Sequence, residues 1–207
     1  MRYATICSNA GFLGNPIAQG VFGMMGLTLA SIYLIPQRIM MWSEGVSVFT
    51  EAPTKKEMLK KIFTHPCIIA CEIGIVLMLT GWRPPHFLEE TITSVSNCNT
   101  AMSMLVIGMI LADADPKTII DKDVLFYTFI RLLIIPFCVF IPCWLLHTDS
   151  LVMGVSVILA AMPAGATTTI LASKYDCEEE FSVKLVVFST AASLITTPLW
   201  NMILLKF

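Results

Sequence analysis

The chain has 207 residues, of which 56% are hydrophobic and only 14% are Asp, Glu, Lys or Arg, about half the charge of an ordinary soluble domain. With a mean hydropathy of +0.78 it reads as an all-α integral membrane protein, which excludes a water-soluble domain. The net charge of −2 is uninformative, and nucleic acid is not among the expected partners.

Apolar runs at approximately residues 4–25, 27–49, 63–82, 94–112, 124–146, 151–173 and 181–205 are each long enough to cross roughly 30 Å of hydrocarbon. They predict about seven transmembrane helices. The first run is interrupted by Ser8-Asn9-Ala10-Gly11-Phe12-Leu13-Gly14-Asn15-Pro16. Proline removes a backbone donor and clashes with the preceding turn, so the helix is expected to break at Pro16 and leave peptide groups unpaired within the bilayer. The second run carries Arg38 near its middle, where an ionised group is costly and often functional.

The most hydrophilic stretch, Thr50 to Lys61, reads as a cytoplasmic linker over 51–61 between two spans and five. Beyond it, Glu72 falls near the middle of the third span, and Trp82-Arg83-Pro84-Pro85-His86 marks a tight turn. Asp113-Ala114-Asp115-Pro116-Lys117 and Leu146-His147-Thr148-Asp149-Ser150 mark the next two connections. Between them, Arg131 near the cytoplasmic start of its span reads as an interfacial anchor that snorkels outward. The sixth run is broken like the first, by Ala161-Met162-Pro163-Ala164-Gly165-Ala166-Thr167-Thr168-Thr169. Glu178, Glu179 and Glu180 then stand where acids favour the start of the last helix.

With the chain starting in the cytoplasm and strict alternation, Arg2, Lys55, Lys56, Lys60, Lys61, Lys117, Lys122, Lys174 and Lys184 fall on the cytoplasmic side, and only Arg83 and Lys206 outside. This asymmetry predicts a multi-pass cell-membrane protein with a cytoplasmic N-terminus and an external C-terminus. No cleavable signal peptide is expected. The seven cysteines lie mostly in apolar spans and behave as small hydrophobes, with no disulfide framework and no metal site predicted.

A pair of Gly/Pro-interrupted hydrophobic segments in corresponding positions points to the binding site of a transporter built from inverted repeats. A broken span, a short connection and a long span bearing a tryptophan, Trp42 or Trp200, occur in that order twice. Five spans on one side of the linker and two on the other leave the first repeat short of three.

The run Ser8 to Pro16, Ile32-Tyr33-Leu34-Ile35-Pro36 leading to Met41-Trp42-Ser43-Glu44-Gly45, and the pair His65-Pro66 carry a family resemblance. It continues through Met162-Pro163-Ala164-Gly165, Ala172-Ser173-Lys174-Tyr175 and the stretch Ser189 to Leu199. In this order they resemble the auxin efflux carrier family, which includes plant PIN carriers and bacterial malate-type permeases, and the bacterial branch most. The resemblance implies a ten-helix fold of two inverted five-helix repeats with the fourth and ninth helices broken at the midplane. This chain would supply the fourth through tenth, with 1–50 as the end of the first repeat and 62–207 as the second, and would be a fragment or truncated product. Asn9 matches a position where the family usually has asparagine, whereas Asn15 departs from the apolar residue common before the proline.

The expected function is secondary transport of a small organic anion, malate- or auxin-like, by alternating access. Half-helix N-termini after each break can hold a carboxylate without a cationic side chain. The candidate substrate-binding residues are Asn9, Gly14, Asn15, Pro16, Arg38, Pro163, Ala164, Gly165, Thr167 and Thr168. The plainer alternative is that Gly11 and Gly14 permit close helix packing and that each proline merely kinks its helix. Arg38 and Glu72 have three open roles: mutual pairing, attraction of the anion, or, for Glu72, carriage of a coupling proton. Against these, Arg38 and Glu44 would simply reach a polar crevice or the interface.

Proton, sodium or the substrate gradient itself could drive the cycle, and a homo-oligomer is compatible with the sequence. No cofactor is expected. Catalysis is not predicted, because His65, His86 and His147 all lie at span ends, away from any activated serine. No phosphate-binding loop supports ATP-driven pumping. The second functional reading is a non-transporting membrane scaffold or subunit, or an inactive piece of such a carrier.

Overall fold

A computed structural model describes the chain apart from residues 42–44, 46, 47, 49–63, 65, 113–118, 205 and 207. The expected linker at 51–61, the turn at 113–117, Trp42, Glu44 and His65 therefore lie outside the described residues. Among the described residues every regular element is a helix. In chain order they are α1 (Arg2–Ile6), a π segment (Ala10–Gly14), α2 (Asn15–Met40), α3 (Pro66–Thr80), α4 (His86–Ala112) and α5 (Lys122–Phe129). A second π segment (Ile130–Ile134), α6 (Ile135–Leu145), α7 (Ser150–Ala160), α8 (Thr167–Lys174) and α9 (Glu179–Leu204) follow. Among the described residues, three continuous helical stretches are long and apolar enough to cross a membrane: Ala10–Met40, Lys122–Leu145 and Glu179–Leu204.

The first of these stretches is two arms, not one rod. Gly23 has φ 67 and ψ −160, a region open essentially only to glycine, and it divides α2 into runs at 15–22 and 24–40. The division falls beside the boundary expected between the first two spans. Asp149 caps α7, its carboxylate accepting from the N–H groups of Leu151 at 2.9 Å and Val152 at 3.3 Å. Glu179 and Glu180 occupy the first turn of α9 as expected, where the partial positive charge of the helix end favours them.

Both π segments sit two residues ahead of a proline. Asn15 donates its N–H to Ala10 O before Pro16, and Ile135 donates to Ile130 O before Pro136. A π turn adds a residue to the helical repeat and so makes room for a ring that would clash with the carbonyl four residues back. Proline also leaves that carbonyl without its donor. For Pro136 it is Leu132 O, and the indole Nε1 of Trp200 on α9 donates to it at 2.9 Å.

The main core joins α2, α7 and α9 through Ala18, Ala30, Leu34, Val157, Leu159 and Trp200. Glycine sets the closest approaches. A Cβ on Gly14 would stand 2.7 Å from Leu159 Cδ2, and one on Gly154 would stand 2.6 Å from Phe22 Cζ. Close packing of this kind holds helices together where lipid offers no hydrophobic drive between them. It also brings the two broken stretches of chain into contact.

Candidate functional site

The first break lies at Cys7-Ser8-Asn9, ahead of where the proline rule put it. α1 ends at Ile6, Cys7 is extended (φ −107, ψ 92), and helix resumes at Ala10, so Pro16 is already inside a continuous helical stretch. The expectation of a break at Pro16 is corrected: the π segment absorbs that proline. The second break runs over 161–166, between α7 and α8, and here Pro163 does sit in unwound backbone.

The two breaks cross antiparallel and satisfy each other. Asn9 N–H donates to Pro163 O at 2.8 Å and Gly165 N–H to Cys7 O at 3.1 Å, with Ser8 opposite Ala164. Ala164 N–H donates to Ser189 Oγ of α9 at 3.1 Å, and the Tyr127 hydroxyl donates to Ala4 O at 2.8 Å. An unpaired peptide group in hydrocarbon costs several kcal/mol, and the bridge pairs the groups that the two breaks would otherwise leave open. Gly165 is required at the crossing, since a Cβ there would stand 3.0 Å from Cys7 O and 3.3 Å from Ser8 O.

Arg131 completes the crossing, and the expectation that it snorkels to the interface is overturned. It is 5% exposed. Its Nε donates to Met162 O at 3.0 Å and its Nη1 to Thr5 O at 3.2 Å, one carbonyl from each broken stretch. Carbonyls at helix C-terminal ends carry partial negative charge, which gives the buried cation its partners without a carboxylate.

Beside the crossing is a cavity of about 350 Å³, lined by Asn9, Gly11, Gln37, Arg38, Gly165 and Thr167 among others. Two helical starts meet it. The N–H groups of Gly11 and Phe12, and of Ala166 and Thr167, donate to no acceptor among the described residues. Arg38 is half-buried and has neither hydrogen bond nor ion pair among the described residues. A Cβ on Gly11 would stand 3.8 Å from Arg38 Nη2, so the guanidinium lies over the first turn after the break. Asn9 is 3% exposed and its Nδ2 has no partner among the described residues. Among the described residues that line this cavity none is a carboxylate.

Of the ten expected residues, four line the cavity: Asn9, Arg38, Gly165 and Thr167. Pro163 and Ala164 are buried in the bridge and take part through backbone atoms. Gly14 packs against Leu159 and Met162. Asn15, with a buried unpartnered Oδ1, and Pro16 lie further along α2 and do not reach the cavity. Thr168 is buried with an unpartnered hydroxyl, away from the cavity lining. Glu72 is exposed on α3 and makes no ion pair with Arg38.

Sequence reasoning passed over Gln37 and Ser8. Gln37 Nε2 donates to Ser8 O at 3.0 Å and Ser8 Oγ at 3.1 Å, which ties the second arm of α2 to the break. A signal existed in the amide of Gln37, polar and beside Arg38 in an apolar run.

The sequence profile of the family described as membrane transport protein matches residues 50–201. An uncharacterized transporter of Methanothermobacter thermautotrophicus is 27% identical over 206 residues, covering 99% of this chain and 67% of that protein. The uncharacterized transporter YfdV of Escherichia coli is 21% identical over 92% of this chain and 63% of its own length. Auxin efflux carrier component 8 of Arabidopsis thaliana is 23% identical over 70% of this chain and 41% of its own length. The chain thus spans about two thirds of the length of its archaeal and bacterial relatives.

Proposed function

The chain belongs to the membrane transport protein family, that of the auxin efflux carriers, and from that premise we propose that it carries the substrate-binding crossover of a secondary transporter for a small organic anion. One observation carries the anion reading. The Arg38 guanidinium is held over a helix start that itself carries partial positive charge, and among the described residues it has no counter-charge and the cavity has no carboxylate in its lining. Like charges so placed repel, and a bound carboxylate reverses the sign of that interaction. The free N–H groups of Gly11, Phe12, Ala166 and Thr167, with Asn9 Nδ2, supply donors around the same space.

The proposed plan is two inverted five-helix repeats crossing at the midplane, with alternating access moving the crossover against surrounding helices. Residues 1–50 would end the first repeat, 51–61 would form a cytoplasmic linker and 62–207 the second repeat. The N-terminus would be cytoplasmic and the C-terminus external. This plan is supported by the order of elements, because a broken helix followed by a long one occurs at both ends of the described chain, divided at Gly23 in the first case and by residues 175–178 in the second. The malate-like and auxin-like substrates share a carboxylate, and that group is what the cavity is equipped to hold.

Equilibrium binding of radiolabelled malate and of radiolabelled indole-3-acetate to the chain in nanodiscs tests the reading. Arg38→Gln removes a charge-assisted partner contributing about 1.5–3 kcal/mol, so affinity should fall about 10- to 100-fold. Equal affinity in the wild type and Arg38→Gln, or no binding of either acid to the wild type, would sink it.

A further inference from the structure

Arg131 has a second environment that the crossing does not explain. It also lines another cavity, of about 380 Å³, together with Ile6, Tyr33, Met40, Ile135 and Val139. Among the described residues the two cavities share only Ser8 and Gln37 in their linings, so the hydrogen bonds from Gln37 Nε2 to Ser8 form the wall between them. A guanidinium has five N–H donors, and on Arg131 two are in use among the described residues. The Tyr33 hydroxyl makes no hydrogen bond among the described residues. Among the described residues no carboxylate lines this cavity either.

An ionised side chain at membrane depth is expensive and characteristically marks the route of a substrate or ion. Two carbonyls orient Arg131 but do not neutralise it. We propose that the second cavity is a second anion site, anchored by Arg131 and Tyr33, for an organic carboxylate whose apolar part lies against Ile135 and Val139. It rests on the anion-carrier reading of the first cavity and extends it. The Ser8–Gln37 wall then separates two stations on one path, each with its own guanidinium, and the largely apolar lining of the second favours an organic acid over a small inorganic anion.

The stoichiometry of radiolabelled malate and indole-3-acetate bound to the full chain in nanodiscs decides the matter. The wild type should hold two anions per chain at saturation for at least one of these acids. Arg38→Gln should leave one anion bound at wild-type affinity and weaken the other about 10- to 100-fold, so that one site is counted over the wild-type titration range, and Val139→Trp, which fills the second cavity from a half-buried position, should reduce the stoichiometry to one. If Val139→Trp does not give a folded chain by circular dichroism and thermal melting, Ile135→Phe fills the same space. A single site in the wild type, lost in Arg38→Gln and kept in the cavity-filled variant, overturns the second site and leaves the first standing. A single site lost in the cavity-filled variant and kept in Arg38→Gln supports the second site and overturns the first. No binding to the wild type overturns both.

Discussion

Asn9 donates its backbone N–H to the carbonyl of Pro163 at 2.8 Å, although 154 residues of sequence separate the two. Each lies in an interruption that would be unaffordable in lipid if it stood alone. Joined, the two breaks become one short piece of antiparallel pairing, and the donors left over are those that face the cavity.

Gly165→Ala should pull this pairing apart. The added methyl meets backbone oxygens of Cys7 and Ser8, which cannot swing aside as a side-chain tip can. Overpacking of this kind costs about 1–3 kcal/mol. Thermal melting in detergent should fall accordingly, and malate or indole-3-acetate affinity should fall with it. An unchanged melt would mean that the bridge is not tight.

Gly11 and Gly14 should separate by function. A Cβ on Gly14 collides with Leu159 and Met162 side chains, whereas one on Gly11 finds only Arg38 Nη2 at 3.8 Å. Gly14→Ala should lower the melting temperature through overpacking of about 1–3 kcal/mol. Gly11→Ala should leave the melt nearly unchanged and weaken anion binding several-fold by crowding the guanidinium. The opposite pattern would assign Gly11 to packing.

Arg131→Met removes the donors to Met162 O and Thr5 O. The buried carbonyl of Met162, left unpaired, costs about 1–3 kcal/mol, and the carbonyl of exposed Thr5 adds less. Arg131→Lys keeps the charge on a point donor and loses the fork, so its melting temperature should lie between those of the wild type and Arg131→Met. Indistinguishable melts for the three proteins would show that the clamp contributes nothing to stability.

Trp200→Phe retains most of the apolar volume and the ring contact with Phe137, at 4.8 Å between centroids, but leaves Leu132 O without its indole donor. The expected loss is about 1–3 kcal/mol, read as a lower melt. In Pro136→Ala the backbone regains a donor for that carbonyl, and adding Trp200→Phe should then cost less than it does alone. Equal costs in both backgrounds would rule out this coupling.

Much of the helical plan was legible because hydrophobic length and turn chemistry act locally. The connection at 146–150 and the acids opening α9 fell where composition put them. The existence of both breaks was also readable, but the position of the first was not. Pro16 looked decisive, yet a π turn spread its cost over the preceding residues, and the unwinding moved back to Cys7-Ser8-Asn9. Arg131 was misread for a different reason. Its burial depends on carbonyls of Thr5 and Met162, partners supplied by tertiary crossing and invisible to a scan of one span. Gln37 went unread because its partner, Ser8, lies on another segment.

The π segment at 10–14 amounts to one residue inserted into an otherwise regular helix. Because the wider turn absorbs that residue, deleting one of the five would return regular helix with Asn9 held at nearly its present angle. What would be lost is the room the wider turn leaves for the Pro16 ring, which in regular helix meets the carbonyl four residues back at a cost of about 3 kcal/mol. Single-residue deletion across 10–14 should therefore lower the melt, and combining it with Pro16→Ala should recover most of the loss.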